Sequence, residues 1–352
     1  MTQPPVPVSA APTEPEGPRL LNRQTALPRQ ELGRRLHPGE IPWLIVTCVL
    51  GGLGYLGSFI FLVMLAIDFL GGGGGAFGLR PGTTEYDMVQ QASGIVFSLT
   101  TLALLLYLAR GYMYAQMRVN GVRLTPTQFP EGYRMLVEAA AAAGMRKVPD
   151  AYVVSGGGTI NAFASGHAWR RFIVVYSDLF EVGGEARDPD ALRFVIGHEV
   201  GHLGAGHVSY WRQWLTAPVS QLPFLGNFLS RAQEYTADNF GHYYVGPKGA
   251  HGGIRLLAGG KYLNANVNFD EFADRSFTEK GLFVWATNIA STHPILLWRA
   301  QALRDRTQPG RLFLRPKGNP GGIPSLPGGS DPTDRYPNPN EALEFLEAFP
   351  PK

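Results

Sequence analysis

Apolar and polar positions fall into blocks of very different length along the 352-residue chain. Residues 41–67 carry no charge, a run longer than the roughly 20 apolar residues that cross a bilayer as a helix. Residues 92–109 form a second apolar stretch, bounded by Arg110 and followed by Tyr112 and Tyr114, which suit a membrane interface. The two stretches predict a transmembrane hairpin, with Gly54 and Ser58 as a small-residue face where the second span approaches the first. A mostly polar, Pro-rich segment precedes the first run, so a retained anchor is expected and not a cleaved signal.

Beyond the hairpin the periodicity changes. "TPTQFPEGYRMLVEAAAAAGM" reads as a capped, Ala-rich helix, and "DAYVVS" and "RFIVVYS" read as β-branched strands bounded by turn residues. Between the strands lies "GGGTINAFASGHAW", whose glycines allow a tight reversal and whose "INAFA" suits a further strand at a sheet edge. Helical patterns follow around "FVIGHEVGHLGAGH", "SRAQEYTADNFGHYYV" and "PILLWRAQALRD". The expected fold class is α+β, a small mixed sheet beside a helical core, preceded by the hairpin. The expected division is a disordered, Pro-rich 1–38, a hairpin at 39–112, a catalytic domain at 113–308 and a mostly disordered tail at 309–352 with a short docking helix at 341–349.

Composition removes several classes of function. The net charge is only +3 and the Lys and Arg residues are scattered, so no nucleic-acid surface is indicated. One cysteine, Cys48, excludes an internal disulfide. Two spans without an intramembrane ion pair argue against a transporter or channel. Arg19, Arg23, Arg29, Arg34 and Arg35 precede the first span and Arg110, Arg118 and Arg123 follow the second, whereas the connecting loop holds only Arg80. By the positive-inside rule, both ends face the cytoplasm and the chain is a multi-pass cell-membrane protein.

The chemistry centres on "HEVGH", residues 198–202. On a helix, the i, i+4 spacing turns His198 and His202 onto one face with Glu199 beside them, the arrangement of a catalytic zinc site with an acid–base carboxylate. Such a site takes three protein ligands and keeps a fourth position for water. His207 does not complete it: the extended three-histidine pattern needs His at 208, where the chain has Val208, and position 207 lies off the ligand face if the helix continues. A carboxylate is the usual alternative. Glu234 is followed at i+4 by Asp238, which suits a ligand with an outer partner able to accept the far N–H of His198 or His202. Glu271 and Glu279 lack such a partner. A structural zinc on a non-catalytic membrane scaffold is the competing class, although it calls for a fourth protein ligand.

Together, "HEVGH", "SRAQEYTAD" and "STHPILLWRAQAL", preceded by "INAFASG", resemble the membrane-bound zinc endopeptidases typified by HtpX and the CAAX prenyl endoproteases. The resemblance covers roughly residues 125–305 and, in outline, the hairpin. It implies a zincin-like (gluzincin) fold, one zinc ion held by His198, His202 and Glu234, and Glu199 as the catalytic carboxylate. It further implies that Asn161, Ala162 and Phe163 belong to the strand that receives substrate, that His293 lies near the scissile carbonyl or the metal, and that Arg299 matches the arginine following that histidine in the family. The partners implied are polypeptides, misfolded membrane proteins above all, together with the lipid bilayer. Prenylated-peptide processing is disfavoured because the many-span intramembrane chamber is missing.

One departure stands out. HtpX-type members carry another pair of spans after the metal helix, but here only residues 214–230 are uncharged, and Pro218 and Pro223 interrupt them. A lone crossing there would put Glu234 across the membrane from His198. The segment is expected to be either an interfacial or re-entrant flap, or a loop packed on the domain.

Overall fold

A computed structural model describes residues 25–71, 76–181, 188–220, 222, 224–319 and 338–348. The expected disorder of residues 1–24, 320–337 and 349–352 lies outside the described residues. Residues 25–38 are ordered, contrary to expectation. Thr25 Oγ1 donates to Ala143 O at 2.8 Å, and helix α1 (Arg29–Arg35) ends on Arg35, whose guanidinium donates to Ala142 O and lies over the Tyr243 ring.

Helix α2 (Glu40–Leu70) and helix α3 (Thr84–Asn120) contain the two apolar stretches and extend beyond them. Both are long and apolar enough to cross a membrane, and side chains such as Ile45, Leu53, Phe59, Phe97 and Leu105 are exposed. That distribution is the reverse of a soluble core helix. Past its apolar stretch α3 becomes part of the domain. Arg110 donates to Val208 O and Gln213 Oε1, and Tyr114 donates its hydroxyl to Asp150 and stacks on Phe172.

Strand β1 (Val122–Arg123), helix α4 (Pro130–Ala142), and strands β2 (Asp150–Val154), β3 (Ala162–His167) and β4 (Arg170–Tyr176) follow. The sheet order among the described residues is β1-β2-β4-β3, with β2 and β4 parallel and the other pairs antiparallel. Strand alternation divides the burial: Ala151, Val153, Ile173 and Val175 face α4 and the helical core, while Tyr152, Phe172 and Val174 face the end of α3. The side-chain cap expected for α4 is absent. Its first turn starts from Phe129 in the left-handed region, with Pro130 at the first helical position, where a missing N–H costs nothing.

The remaining helices are α5 (Pro189–Gly204), α6 (Tyr210–Ser220), α7 (Leu225–Leu263), α8 (Phe269–Thr278), α9 (Leu282–Ala290), α10 (Leu296–Arg304) and α11 (Pro339–Ala348). Asp188 caps α5, its carboxylate accepting from the N–H groups of Asp190 and Ala191. Helix α7 bends at Gly246, whose positive φ precedes Pro247. The tail keeps packing past residue 308: Gly310, Arg311 and Leu312 offer their carbonyls to His37, Tyr235 and Arg231. Helix α11 leaves Leu343 and Leu346 exposed.

Residues 214–220 belong to the end of α6 and residues 225–230 to the start of α7, helical and packed on the first apolar helix through the Tyr55–Trp214 and Trp43–Phe228 ring stacks. The close approach on α2 is at Gly51 and not Gly54. A Cβ at Gly51 would fall within 1.8 Å of Leu215 O, whereas one at Gly54 would meet nothing within 4 Å. The small-residue face therefore receives α6 one turn earlier than the sequence suggested, because α6 occupies the side expected for α3.

Candidate metal centre

Two helices build the centre, and each uses two neighbouring i, i+4 rows. On α5, His198 and His202 form one row and Gly197 and Gly201 the next; on α7 the rows are Glu234 with Asp238, and Ala237 with Gly241. The small rows pack against each other. A Cβ at Gly197 would stand 3.1 Å from Gly241 Cα, and one at Gly201 would stand 2.7 Å from Phe240 Cβ. This closeness brings the acidic row of α7 across the imidazole row of α5.

The Nε2 atoms of His198 and His202 are 3.2 Å apart, and each lies 3.4 Å from a different oxygen of Glu234, His198 from Oε2 and His202 from Oε1. These donor atoms form the one group of this kind among the described residues. The chemistry of the set fits a divalent cation: two imidazoles that face inward through Nε2, and a buried carboxylate whose Oε2 has no hydrogen-bond partner. Outer contacts fix the orientation of the rings. His198 Nδ1 lies 2.9 Å from Asp238 Oδ1, and Arg299 clamps Asp238 through two bonds of 2.9 and 2.7 Å. His202 Nδ1 lies 2.7 Å from His207 Nδ1.

The electrostatics favour a cation. Burial opposes a charge on His198, but Asp238 and Glu234 outweigh it and lift the imidazole to about 10. Burial likewise opposes ionised Glu234, yet the facing imidazoles hold it well below the ordinary carboxylate range. Asp238 is depressed despite its burial, chiefly by Arg299. Glu199 differs from both, because burial pushes it up.

Glu199 lines the same cleft as His198 and Glu234, a cavity of about 220 Å³ that also reaches Asn161, Ala162 and His293. His293 sits at its rim with Nε2 3.3 Å from Glu234 Oε1. Asn161 precedes β3, and its carbonyl accepts from the N–H of Tyr176 at 3.0 Å. In an antiparallel ladder this turns the backbone groups of Ala162 and Ala164 toward the free edge of β3. Phe163 does not line the cleft. Strand alternation sends its side chain to the opposite face, against the cluster around Tyr152 and Phe172.

Three buried residues near the centre carry no local sequence signal for it, and a fourth, His207, does not fit the ligand register. Glu40, Arg212 and Thr236 are buried together with His207. The helix does not continue. Gly206 adopts a positive φ of 79°, and the chain folds back so that the His207 N–H reaches His202 O. Glu40 stands out in the sequence only as a lone carboxylate at the very start of an apolar run.

A comparison with protein families adds what geometry alone does not. The model of peptidase family M48 matches residues 126–218 and 209–307, together just over half of the 352 residues. The chain belongs to peptidase family M48. This is the family of HtpX and the CAAX prenyl endopeptidases, membrane zinc metalloproteases, so this M48 chain is a metal-dependent peptidase and its substrates are polypeptides. Its two long apolar helices, with that membership, indicate a membrane protein. No curated protein and no solved structure matches the chain.

Proposed function

We propose that the chain is a zinc endopeptidase with a zincin-like core, in which His198, His202 and Glu234 hold the metal and Glu199 is the general base. The observation that carries this reading is the convergence of the donors, with the two Nε2 atoms 3.2 Å apart, each 3.4 Å from a different oxygen of Glu234, and one ligand atom from each residue within 4.8 Å of the others. A tetrahedral zinc with bonds of roughly 2.0–2.1 Å has ligand–ligand edges of about 3.3–3.4 Å. A structural site would call for a fourth protein ligand; here three donors group together, and His198 and Glu234 line a cleft beside Glu199, which favours the catalytic reading over a scaffold.

When bound, the zinc ion polarises the peptide carbonyl and lowers the pKa of water at the site towards neutrality. Glu199 takes a proton from the attacking water as its oxygen bonds to the carbonyl carbon, then passes it to the amide nitrogen as the C–N bond breaks. His293, at the cleft rim, donates to the carbonyl oxygen as charge develops there. Substrate lies antiparallel to β3, paired with the outward backbone groups of Ala162 and Ala164, which grips many sequences alike. Arg299 and Asp238 act only by holding His198.

The hairpin anchors the enzyme with its N-terminus and catalytic domain in the cytoplasm, consistent with the flanking arginines. Its substrates are misfolded membrane proteins, reached at the bilayer surface. The test is Glu199→Gln beside His198→Ala in the purified full chain. Glu199→Gln that keeps its metal but no longer cuts an unfolded test polypeptide supports the reading; undiminished cleavage by Glu199→Gln overturns it.

A further inference from the structure

The second imidazole of the metal centre rests on a buried chain of groups that ends at the anchor helix. His202 presents Nε2 to His198 and Glu234, so Nδ1 points away, 2.7 Å from Nδ1 of His207. Nε2 of His207 in turn lies 3.1 Å from Oε1 of Glu40, the first residue of α2. Two ring nitrogens at that separation share one proton. A His202 whose Nε2 lone pair is given to a metal carries its proton on Nδ1 and donates it to His207 Nδ1; the His207 proton is then on Nε2, where Glu40 accepts it. A single arrangement of protons satisfies every link.

Glu40 is itself fixed. It is fully buried, Arg212 donates to Oε1 at 2.5 Å, and the Thr236 hydroxyl donates to Oε2. Thr236 stands two residues after Glu234 on α7 and accepts the backbone N–H of His37. The carboxylate that closes the chain is thus tied both to the metal-binding helix and to the segment entering α2.

We propose that His207 and Glu40 form the positioning pair of His202, the counterpart of Asp238 and Arg299 at His198, so that the start of the anchor helix supports the metal centre. The inference rests on the metal-centre reading above. A plain ion pair between Glu40 and Arg212 does not account for the arrangement. Arg212 and Thr236 would satisfy that carboxylate without His207, and a space-filling side chain would not need both ring nitrogens engaged. The negative charge of Glu40, carried through His207, holds the His202 ring in place and makes its Nε2 a better donor.

The experiment is cobalt(II) titration of the metal-free full chain in detergent against a chromophoric chelator, with the visible spectrum of the loaded protein and the thermal unfolding of the metal-free protein recorded alongside. Glu40→Gln keeps the volume and an acceptor for His207 and Arg212, removes the charge, and replaces the oxygen that accepts from Thr236 by an NH2 donor. It is expected to weaken cobalt affinity about tenfold, and His207→Phe by ten- to a hundredfold, the range for outer-shell partners of metal ligands. Both should shift the cobalt absorption bands, which a purely structural role would not move. Because Glu40 reaches the His202 ring through His207, most of the Glu40→Gln loss should disappear in the His207→Phe background. Wild-type affinity and spectrum in His207→Phe, or losses that multiply in the double variant, overturn the proposal; the His207→Phe readout stands even where Glu40→Gln does not fold. Cobalt binding that survives His198→Ala instead overturns the metal-centre reading itself, and the positioning pair with it.

Discussion

Gly201 of α5 lies so close to Ala237 of α7 that a Cβ on the glycine would stand 3.2 Å from the alanine Cα and 3.2 Å from its carbonyl oxygen, and 2.7 Å from Phe240 Cβ. The neighbours are backbone and the root of a buried side chain, so they cannot give way as a flexible tip would. Gly201→Val is therefore expected to push α7 away from α5, at a stability cost of roughly 1–3 kcal/mol for overpacking. Because Glu234 and Asp238 ride on α7, metal affinity and peptide cleavage should fall together. Metal affinity equal to wild type would show that the two helices meet less tightly than described.

Asp238→Asn tests the support of the first imidazole. The amide can no longer accept from His198 Nδ1 and from Arg299 as a charged group does, so metal affinity should drop about ten- to a hundredfold. Chelator competition measures it. An unchanged affinity would make the Asp238–Arg299 pair a purely structural ion pair.

Acid should loosen the metal-free protein through histidines outside the centre. His37 accepts the Gly39 N–H on Nδ1 and bonds Gly310 O through Nε2, an arrangement open only to the neutral ring. Burial lowers His37, and burial pushes His242 down to about 4. An unfolded histidine titrates near 6.5. The folded values lie below the unfolded one, so the unfolded chain binds more protons as pH falls, and this stability is complete above about 6.5 and lost progressively toward 4. His198, lifted to about 10, contributes the opposite slope between pH 7.5 and 6.5 in every variant, so the test is the difference: from pH 7.5 to pH 5 the unfolding temperature of the metal-free wild type should fall further, or rise less, than that of His37→Gln. Identical pH dependence in the two proteins would contradict it.

Backbone pairing on β3 predicts a substrate effect independent of side chains. N-methylation of the substrate amides that face Ala162 and Ala164 should reduce cleavage severalfold each, since one net hydrogen bond is worth about 0.5–1.5 kcal/mol. Methylation that leaves kcat/KM untouched at every position would rule out strand addition as the mode of binding.

Much of this was legible in the sequence because it is periodic. The i, i+4 rows of "HEVGH" and of Glu234 with Asp238, the strand alternation of "RFIVVY" and the uncharged runs each report a local geometry. The misses are residues whose partners are distant along the chain. Glu40 meets His207 across 167 positions and Thr236 across 196, and no local pattern encodes either contact. Gly51 rather than Gly54 approaches a neighbour because α6 occupies that side of α2, and the order of the helices is a tertiary property. Phe163 belongs to the edge strand, but the two-residue alternation turns its side chain to the face opposite the cleft, which the motif alone does not specify.

The central claim is that His198, His202 and Glu234 hold the metal that cleaves peptides. Its most direct test is the zinc content of the purified full chain, measured with cleavage of an unfolded polypeptide, for wild type and Glu234→Gln. The account predicts one zinc per wild-type chain, and loss of both zinc and cleavage in Glu234→Gln, each recovered in part by excess metal. A Glu234→Gln chain that retains its zinc and cuts at the wild-type rate would contradict it.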